Sequence, residues 1–301
     1  MKTKTSVVIT TYNGEKYILQ QLRSIAEQSI SPDQIIISDD GSTDKTLDIV
    51  RDFIENNHLD TWNLIANKGE HGISCNYINA LNQTTGDIIF LCDQDDIWDK
   101  EKVRYFLEQF RKHPECLCII SAIDYIDKDG KPLKISTSYT CHKDHVISIK
   151  ELCRVCSYLG MACAIKKELY ERTSKTFMRD ASHDWALMIT ASNAGENKVR
   201  FAGKVLQHYR MHGSNASVIQ DLSVKRKRMQ LITRQQDQIR KSCNYHNNSD
   251  VINAFLFFLD KRRKIIEDSS VLGFLINIPK YFQLGYSMRN IAADGYAIIK
   301  K

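Results

Sequence analysis

Residues 86–98, Gly-Asp-Ile-Ile-Phe-Leu-Cys-Asp-Gln-Asp-Asp-Ile-Trp, set a short apolar run in front of three carboxylates, Asp93, Asp95 and Asp96. Ile88 to Leu91 has the length and composition of a strand buried on both faces, and in such sheets ligands collect where the chain leaves the carboxyl end of a strand. The three acids stand at that exit. Carboxylates this close raise one another's pKa unless a hard divalent cation such as Mg²⁺ or Mn²⁺ neutralises them and bridges to phosphate oxygens. Three acids after a strand also serve as a solvated loop capping the next helix, so the elements that position them have to decide.

Those elements begin at once. Thr5 to Thr10 reads as a strand, and Thr11-Tyr12-Asn13-Gly14 turns into an amphipathic helix from about Glu15, with Tyr17, Ile18, Leu22, Ile25 and Ala26 at helical spacing. Gln34 to Ser38 is a second buried strand, Asp39-Asp40-Gly41-Ser42-Thr43-Asp44 its turn, and Asp44 opens a helix carrying Leu47, Ile49, Val50, Phe53 and Ile54. The alternation continues: a strand at 62–66, a helix at 73–82, a helix at 99–112 that Trp98 precedes as a packing residue, a strand at 115–125, a hairpin turn at 127–131, and strands at 161–165 and 199–209. Strands and helices alternating in units this short predict an α/β fold, a mostly parallel central sheet covered by helices.

T-Y-N-G after the first strand, D-D-G-S-T-D after the second, and G-D-I-I-F-L-C-D-Q-D-D-I-W resemble the family-two glycosyltransferases of the nucleotide-diphospho-sugar transferase fold (GT-A type). The closing motifs His183-Asp184-Trp185 and Tyr209-Arg210-Met211-His212-Gly213-Ser214-Asn215 are similar to bacterial polysaccharide enzymes, rhamnosyltransferase-like members among them. The resemblance covers residues 5 to about 217, and its specificity lies in the order and spacing of the motifs.

It implies a role for each. Thr11 and Tyr12 lie against the nucleotide, and Asp39 accepts the imide N–H of a uracil or thymine; turn chemistry before Gly41 is the alternative for Asp39 and Asp40. Asn67-Lys68-Gly69 with Gly72 edges the nucleotide, and Lys68 neutralises phosphate or simply faces solvent. Asp93 goes to the ribose region, Asp95 to the metal, and Asp96 supports them. Asp184 stands where the family's acidic pair stands, with His183 replacing the acidic neighbour, and serves as general base for an attacking sugar hydroxyl; alternatively it only complements a helix N-terminus. Arg210 suits pairing with the diphosphate, and His212 suits the metal or a phosphate, or is a turn residue. Gln207 and Arg210 have the Q-x-x-R spacing of processive members, but Met211 stands where their tryptophan would be, so transfer of a single sugar is expected. A UDP- or dTDP-sugar donor and an oligosaccharide or lipid-linked acceptor follow as expected partners. Competing classes lack their loops: a nucleotidyltransferase needs G-x-G-T-R and a dinucleotide oxidoreductase needs G-x-G-x-x-G where Tyr12-Asn13-Gly14-Glu15 stands. A non-catalytic docking subunit that retains the fold is the remaining alternative.

At 301 residues and 43% hydrophobic, the chain holds a core of ordinary size, partitioned as a catalytic domain at 1–217 and a basic helical extension at 218–301. Nine cysteines, mostly in apolar stretches, and no leader pattern after Met1-Lys2-Thr3-Lys4 predict reduced thiols and a cytoplasmic protein. Cys153-Arg154-Val155-Cys156, near Cys141, His142 and His145, has zinc-ligand spacing but no second pair. The net charge of +6 is uneven: residues 215–301 carry 15 Lys and Arg against 7 Asp and Glu, residues 1–214 carry 27 against 29. The tetrads Lys225–Arg228 and Lys261–Lys264, beside apolar helix faces and the stretch 271–282, predict peripheral contact with the anionic inner face of a membrane, or else a packing or homodimer element. No nucleic-acid motif accompanies the charge.

Overall fold

The computed structural model describes residues 2–140, 143–155, 159–213, 223–243, 245 and 250–299. The chain divides into two compact units, residues 1–147 with 158–213, and residues 148–157 with 214–301. In chain order the first elements are β1 (Thr5–Thr11), α1 (Ile18–Ala26), β2 (Gln34–Asp39), α2 (Thr46–Asn56), β3 (Trp62–Ala66), α3 (Ile73–Leu81), β4 (Ile88–Asp93), β5 (Ile97–Trp98) and α4 (Lys102–Lys112). There follow β6 (Cys118–Ile126), β7 (Pro132–Leu133), β8 (His145–Val146), α5 (Ile149–Val155), β9 (Cys163–Lys166), α6 (Lys167–Arg172), α7 (Lys175–Asp180), α8 (His183–Asn193) and β10 (Val199–Arg210).

The described strands of the first unit form one sheet in the order β3-β2-β1-β4-β9-β6-β10-β5, with β7 beside β6 and β8 beside β10. Val7, Val8 and Ile9, Ile35 to Ile37 and Ile88 to Leu91 are buried on both faces, which is why these runs are continuously apolar and β-branched rather than alternating. Each such side chain removed from water contributes about 1.5–3 kcal/mol. β3, β2, β1 and β4 are mutually parallel, and so are β6 and β10; β9 lies antiparallel between β4 and β6. Two antiparallel steps restore direction. The carboxyl ends of β1, β2, β3, β4, β6 and β10 therefore share one edge, and that edge receives Thr11, Asp39, Asp93 and Arg210.

The expected 127–131 turn closes the β6–β7 hairpin: the Asp127 N–H donates to the Lys131 carbonyl at 2.9 Å, and Asp127 Oδ1 accepts the N–H groups of Asp129 and Lys131. Trp98 does not open a helix. It pairs with Gln207 in the two-residue β5, antiparallel to β10, and α4 starts only at Lys102. That short pairing draws the loop after β4 across to β10.

The second unit holds α5 and four longer helices, α9 (Val224–Cys243), α10 (Asp250–Glu267), α11 (Val271–Gln283) and α12 (Met288–Ile299). Gln235 of α9 donates to the Arg154 carbonyl at 2.6 Å, so the segment around α5 packs with these helices although it lies before residue 217. At their centre Asp294, fully buried, accepts from Arg262 Nε at 2.6 Å, from Tyr281 Oη at 2.6 Å and from Arg228. Two members of the basic tetrads thus point inward. Cys141, His142 and Cys156 of the zinc-spaced set lie outside the described residues; Cys153 is buried.

Candidate active site

The loops after β1 and β2 are fastened to each other residue by residue. Thr11 Oγ1 donates to Asp39 Oδ2 at 2.7 Å, the Asn13 N–H donates to Ser42 Oγ at 2.8 Å, Asn13 Oδ1 accepts the Thr43 N–H at 2.9 Å, and the Gly14 N–H donates to Thr46 Oγ1 at 2.7 Å. Asn13 takes a left-handed φ of 48° to do so, a conformation asparagine tolerates. Asp39 is buried, and both its oxygens are engaged: Oδ1 accepts the N–H groups of Gly41 and Ser42, Oδ2 accepts from Thr11 and the Ser42 hydroxyl at 2.6 Å. Those four donors fill the roughly four lone-pair positions a carboxylate offers. Asp40 ties in the third loop, accepting from Asn67 Nδ2 and the Gly72 N–H, each at 2.7 Å. Lys68 is exposed on that loop and Tyr12 is exposed on the first.

The acidic loop grips the first loop from the other side. Gln94 Oε1 accepts the Tyr12 N–H and Gln94 Nε2 donates to the Tyr12 carbonyl, both at 2.9 Å. A Cβ on Gly14 would lie 2.1 Å from Gln94 Oε1, so a larger residue between the two loops would displace the Gln94 amide from Tyr12. The three carboxylates have three environments. Asp93 accepts the Tyr77 hydroxyl at 2.7 Å, and burial, together with the charges of Asp95 and Asp184, pushes its carboxyl up to about 7. Asp96 is fully buried and accepts from the Arg210 N–H at 2.9 Å and Gln207 Nε2 at 2.6 Å; burial and the charges of Asp95 and Asp93 raise its pKa well above the usual range. Asp95 keeps some exposure, and its Oδ2 lies 2.9 Å from His212 Nε2.

Arg210 is fully buried. Its Nε donates to the Asp95 carbonyl at 2.8 Å, Nη1 to the Lys128 carbonyl at 3.2 Å and Nη2 to Gln20 Oε1 at 2.5 Å, while the guanidinium carbon stands 4.9 Å from the Tyr17 ring centre. This is not the open fork expected to pair with a diphosphate; the guanidinium binds the Asp95 loop, the hairpin turn and α1 into one piece. Beneath it, buried Lys102 donates to Gln207 and to the Met161 carbonyl and sits 4.0 Å over the Trp98 ring. Burial pushes that ammonium down to about 8.

Asp184 lies in the first turn of α8, Oδ1 accepting the Trp185 N–H at 2.7 Å, and its charge reaches Asp93. His183 stacks on Tyr77 with ring centres 4.0 Å apart, and both of its ring nitrogens are buried without a hydrogen-bond partner. Burial lowers its pKa against the pull of Asp184, so the imidazole is neutral. A Cβ on Gly160 would come within 2.9 Å of Asp184 Cβ and 3.0 Å of His183 Nε2, so this backbone is glycine because the pair needs the room.

One edge of one sheet therefore carries polar loops suited to a nucleotide, a carboxylate–imidazole pair and a further carboxylate on a helix start. The Glycosyl transferase family 2 model matches residues 6–172. The chain belongs to glycosyl transferase family 2. Asp184, Arg210 and His212 of this glycosyltransferase lie beyond the matched stretch. Chondroitin synthase of Escherichia coli is 26% identical over 213 residues, 71% of this chain but 30% of that protein, so the chain spans less than a third of that relative. In structure the chain is similar to Staphylococcus aureus TarS 1–349 in complex with UDP-GlcNAc, with TM-score 0.61, 18% identity and coverage of 98% of this chain and 79% of that one. It is also similar to the mannosyltransferase PcManGT of Pyrobaculum calidifontis in complex with GDP-Man and Mn²⁺, with TM-score 0.59, 16% identity and coverage of 99% and 86%. At these identities the two structures speak to the fold, which is that of the GT-A glycosyltransferases.

Among the described residues no group of three or more His, Cys, Asp or Glu is gathered as a ready metal cage. Asp95 and His212 still fit a Mg²⁺ or Mn²⁺ ion, because such ions take one or two protein ligands and complete their shell with water and substrate phosphate. Several supporting residues escaped the sequence: Gln94 and Tyr77 carry no motif of their own, Gln20 is a surface-type residue on a helix, and Lys102 reads as a solvated lysine. Gln207 was legible only through its Q-x-x-R spacing.

Proposed function

We propose that this glycosyltransferase is a metal-dependent, inverting enzyme that moves one sugar from a UDP- or dTDP-sugar to a hydroxyl of a growing, lipid-linked cell-surface polysaccharide at the inner membrane face. The observation that carries the reading is the Asp95–His212 pair, 2.9 Å apart, at the edge where the nucleotide loops and Asp184 also stand. Asp95 and His212 hold the ion, which when bound offsets the charge of the departing diphosphate. Thr11, Tyr12 and Asp39 face the nucleotide; because the Asp39 lone pairs are filled, a base imide N–H is accepted when the Ser42 hydroxyl turns away. Asp93, raised to about 7, accepts a ribose hydroxyl, and Lys68 on the third loop offsets phosphate charge. Asp184 takes the proton of the attacking hydroxyl. Arg210 is a positioning residue, holding the Asp95 loop through its carbonyl. With Asp93 and Asp95 assigned to ribose and metal, Asp184 is left as the single base among the described residues, which supports inversion. The two solved neighbours hold UDP-GlcNAc and GDP-Man with Mn²⁺, which supports a nucleotide-sugar donor without choosing the sugar.

Calorimetric titration of UDP-sugars into wild type and Asp95→Asn, in Mn²⁺ and in EDTA, tests the metal assignment. Binding should weaken in the variant with Mn²⁺ present and match wild type in EDTA; equal affinity in Mn²⁺ sinks the assignment.

A further inference from the structure

α11 is amphipathic in an uncommon sense: its outer face is the apolar one. Asn277 and Tyr281 turn inward, where the Tyr281 ring lies 4.8 Å from Phe258 and 5.6 Å from Tyr286. Leu272, Leu275, Ile276 and Phe282 turn outward with Val271 ahead of them, every one at least half exposed and Leu272 at 70%. Positions 272, 275–276, 279 and 282 form one stripe along a helix of thirteen residues, about 20 Å long. On α12, Met288, Tyr296 and Ile299 are exposed as well. Apolar patches this continuous are rarely left to water.

The surroundings state what covers it. Lys225 Nζ donates to the Glu267 carbonyl at 3.0 Å and to Ser269 Oγ at 2.9 Å, which sets the start of α9 at the corner where α10 gives way to α11. Arg226 and Lys227 follow there, both exposed, and Lys261, Arg263 and Lys264 on the last turns of α10 are exposed too, outnumbering the exposed acids Glu267 and Asp268. A second copy of this surface would bring the same surplus of positive charge against itself, whereas an anionic lipid surface complements both the apolar stripe and that surplus. Pro279, on the exposed face, has no N–H to give the Leu275 carbonyl, and at a headgroup boundary water reaches that carbonyl. Among the described residues no helix is long and apolar enough to cross a membrane.

We propose that α11 lies in the plane of an anionic bilayer surface, Leu272, Leu275, Ile276 and Phe282 entering the acyl boundary and the basic groups of α9 and α10 resting on the headgroups. This deepens the membrane part of the proposed function and is independent of its chemistry, so binding to vesicles and binding of UDP-sugar are read separately.

The test is co-sedimentation of the full chain with phosphatidylglycerol–phosphatidylcholine vesicles and with phosphatidylcholine alone, at low and high salt. Wild type should pellet with the anionic vesicles at low salt, be released by high salt, and stay in solution with the neutral ones. Leu272→Glu/Ile276→Glu replaces exposed side chains and should lower anionic-vesicle binding at least ~10-fold, with the thermal midpoint and UDP-sugar affinity unchanged. Lys261→Ser/Arg263→Ser/Lys264→Ser should lower it by ~5-fold per charge and flatten the salt dependence. Wild type left in the supernatant, or a double-glutamate variant that pellets like wild type, overturns the proposal. So does light scattering that finds a dimer which the double-glutamate variant splits, since the stripe then joins two copies.

Discussion

Replacing Asp93 by asparagine should stabilise the metal-free protein, and by an amount that depends on pH. The unfolded chain ionises Asp93 near 3.8, the folded protein only near 7. Between those values the folded state holds a proton the unfolded state has released, so stability falls as pH rises through the window, and the full cost is present above about pH 7. A shift of roughly three units corresponds to about 4 kcal/mol. Asp93 keeps some contact with solvent, which screens part of this and leaves about 2–4 kcal/mol. The asparagine side chain has no charge to bury, and its carbonyl oxygen can still accept the Tyr77 hydroxyl. Urea unfolding of wild type and Asp93→Asn in EDTA at pH 4 and pH 8 should show the variant gaining that amount on going to the higher pH. A wild-type-to-variant difference that stays the same at both pH values would refute the electrostatic reasoning, whatever the sign of the offset.

Asp184→Asn should leave UDP-sugar affinity near wild type and cut turnover by ~10² or more, with inverted anomeric configuration in any product read by NMR; retention would remove the single-base mechanism. Gly160→Ala presses Asp184 and His183 away from position 160 by several tenths of an ångström and should cost about 1–3 kcal/mol in thermal unfolding and ~10-fold or more in turnover, while donor affinity measured by calorimetry holds. Asp294→Asn strands Arg262 without its buried partner and should destabilise by about 3–5 kcal/mol in urea unfolding, without altering UDP-sugar affinity; a loss under about 1 kcal/mol would mean the pair is not closed as described.

The parallel strands β1, β2 and β4 were legible because a strand buried on both faces must be apolar at every position and must end in turn residues, and Thr11, Asp39 and Asp93 mark those ends. β5 was not legible: two residues carry no periodicity, and Ile97 and Trp98 pair only because β10, over a hundred residues on, passes beside them. The same non-locality hides Arg210, whose side chain type suggests a free fork of donors, while its burial is decided by the carbonyls of Asp95 and Lys128 and by Gln20. In the tail, a run of like charge states the sum but not the face. Arg228 and Arg262 belong to the interior because Asp294, which no local pattern singles out, lies between them.

The interlock of the loops after β1, β2 and β4 bears on attempts to retarget the enzyme. Asn13 reads Ser42 and Thr43, Gly14 reads Thr46, and Gln94 holds the backbone of Tyr12, so none of the three loops keeps its shape when its neighbours are exchanged. A chimera whose 39–46 segment lacks hydroxyls at 42 and 46 would leave the N–H groups of Asn13 and Gly14 without their acceptors. Under the donor assignment proposed above, residues 11–15, 39–46 and 94 change together or not at all, and libraries that vary them jointly should yield folded variants that segment-by-segment grafting misses.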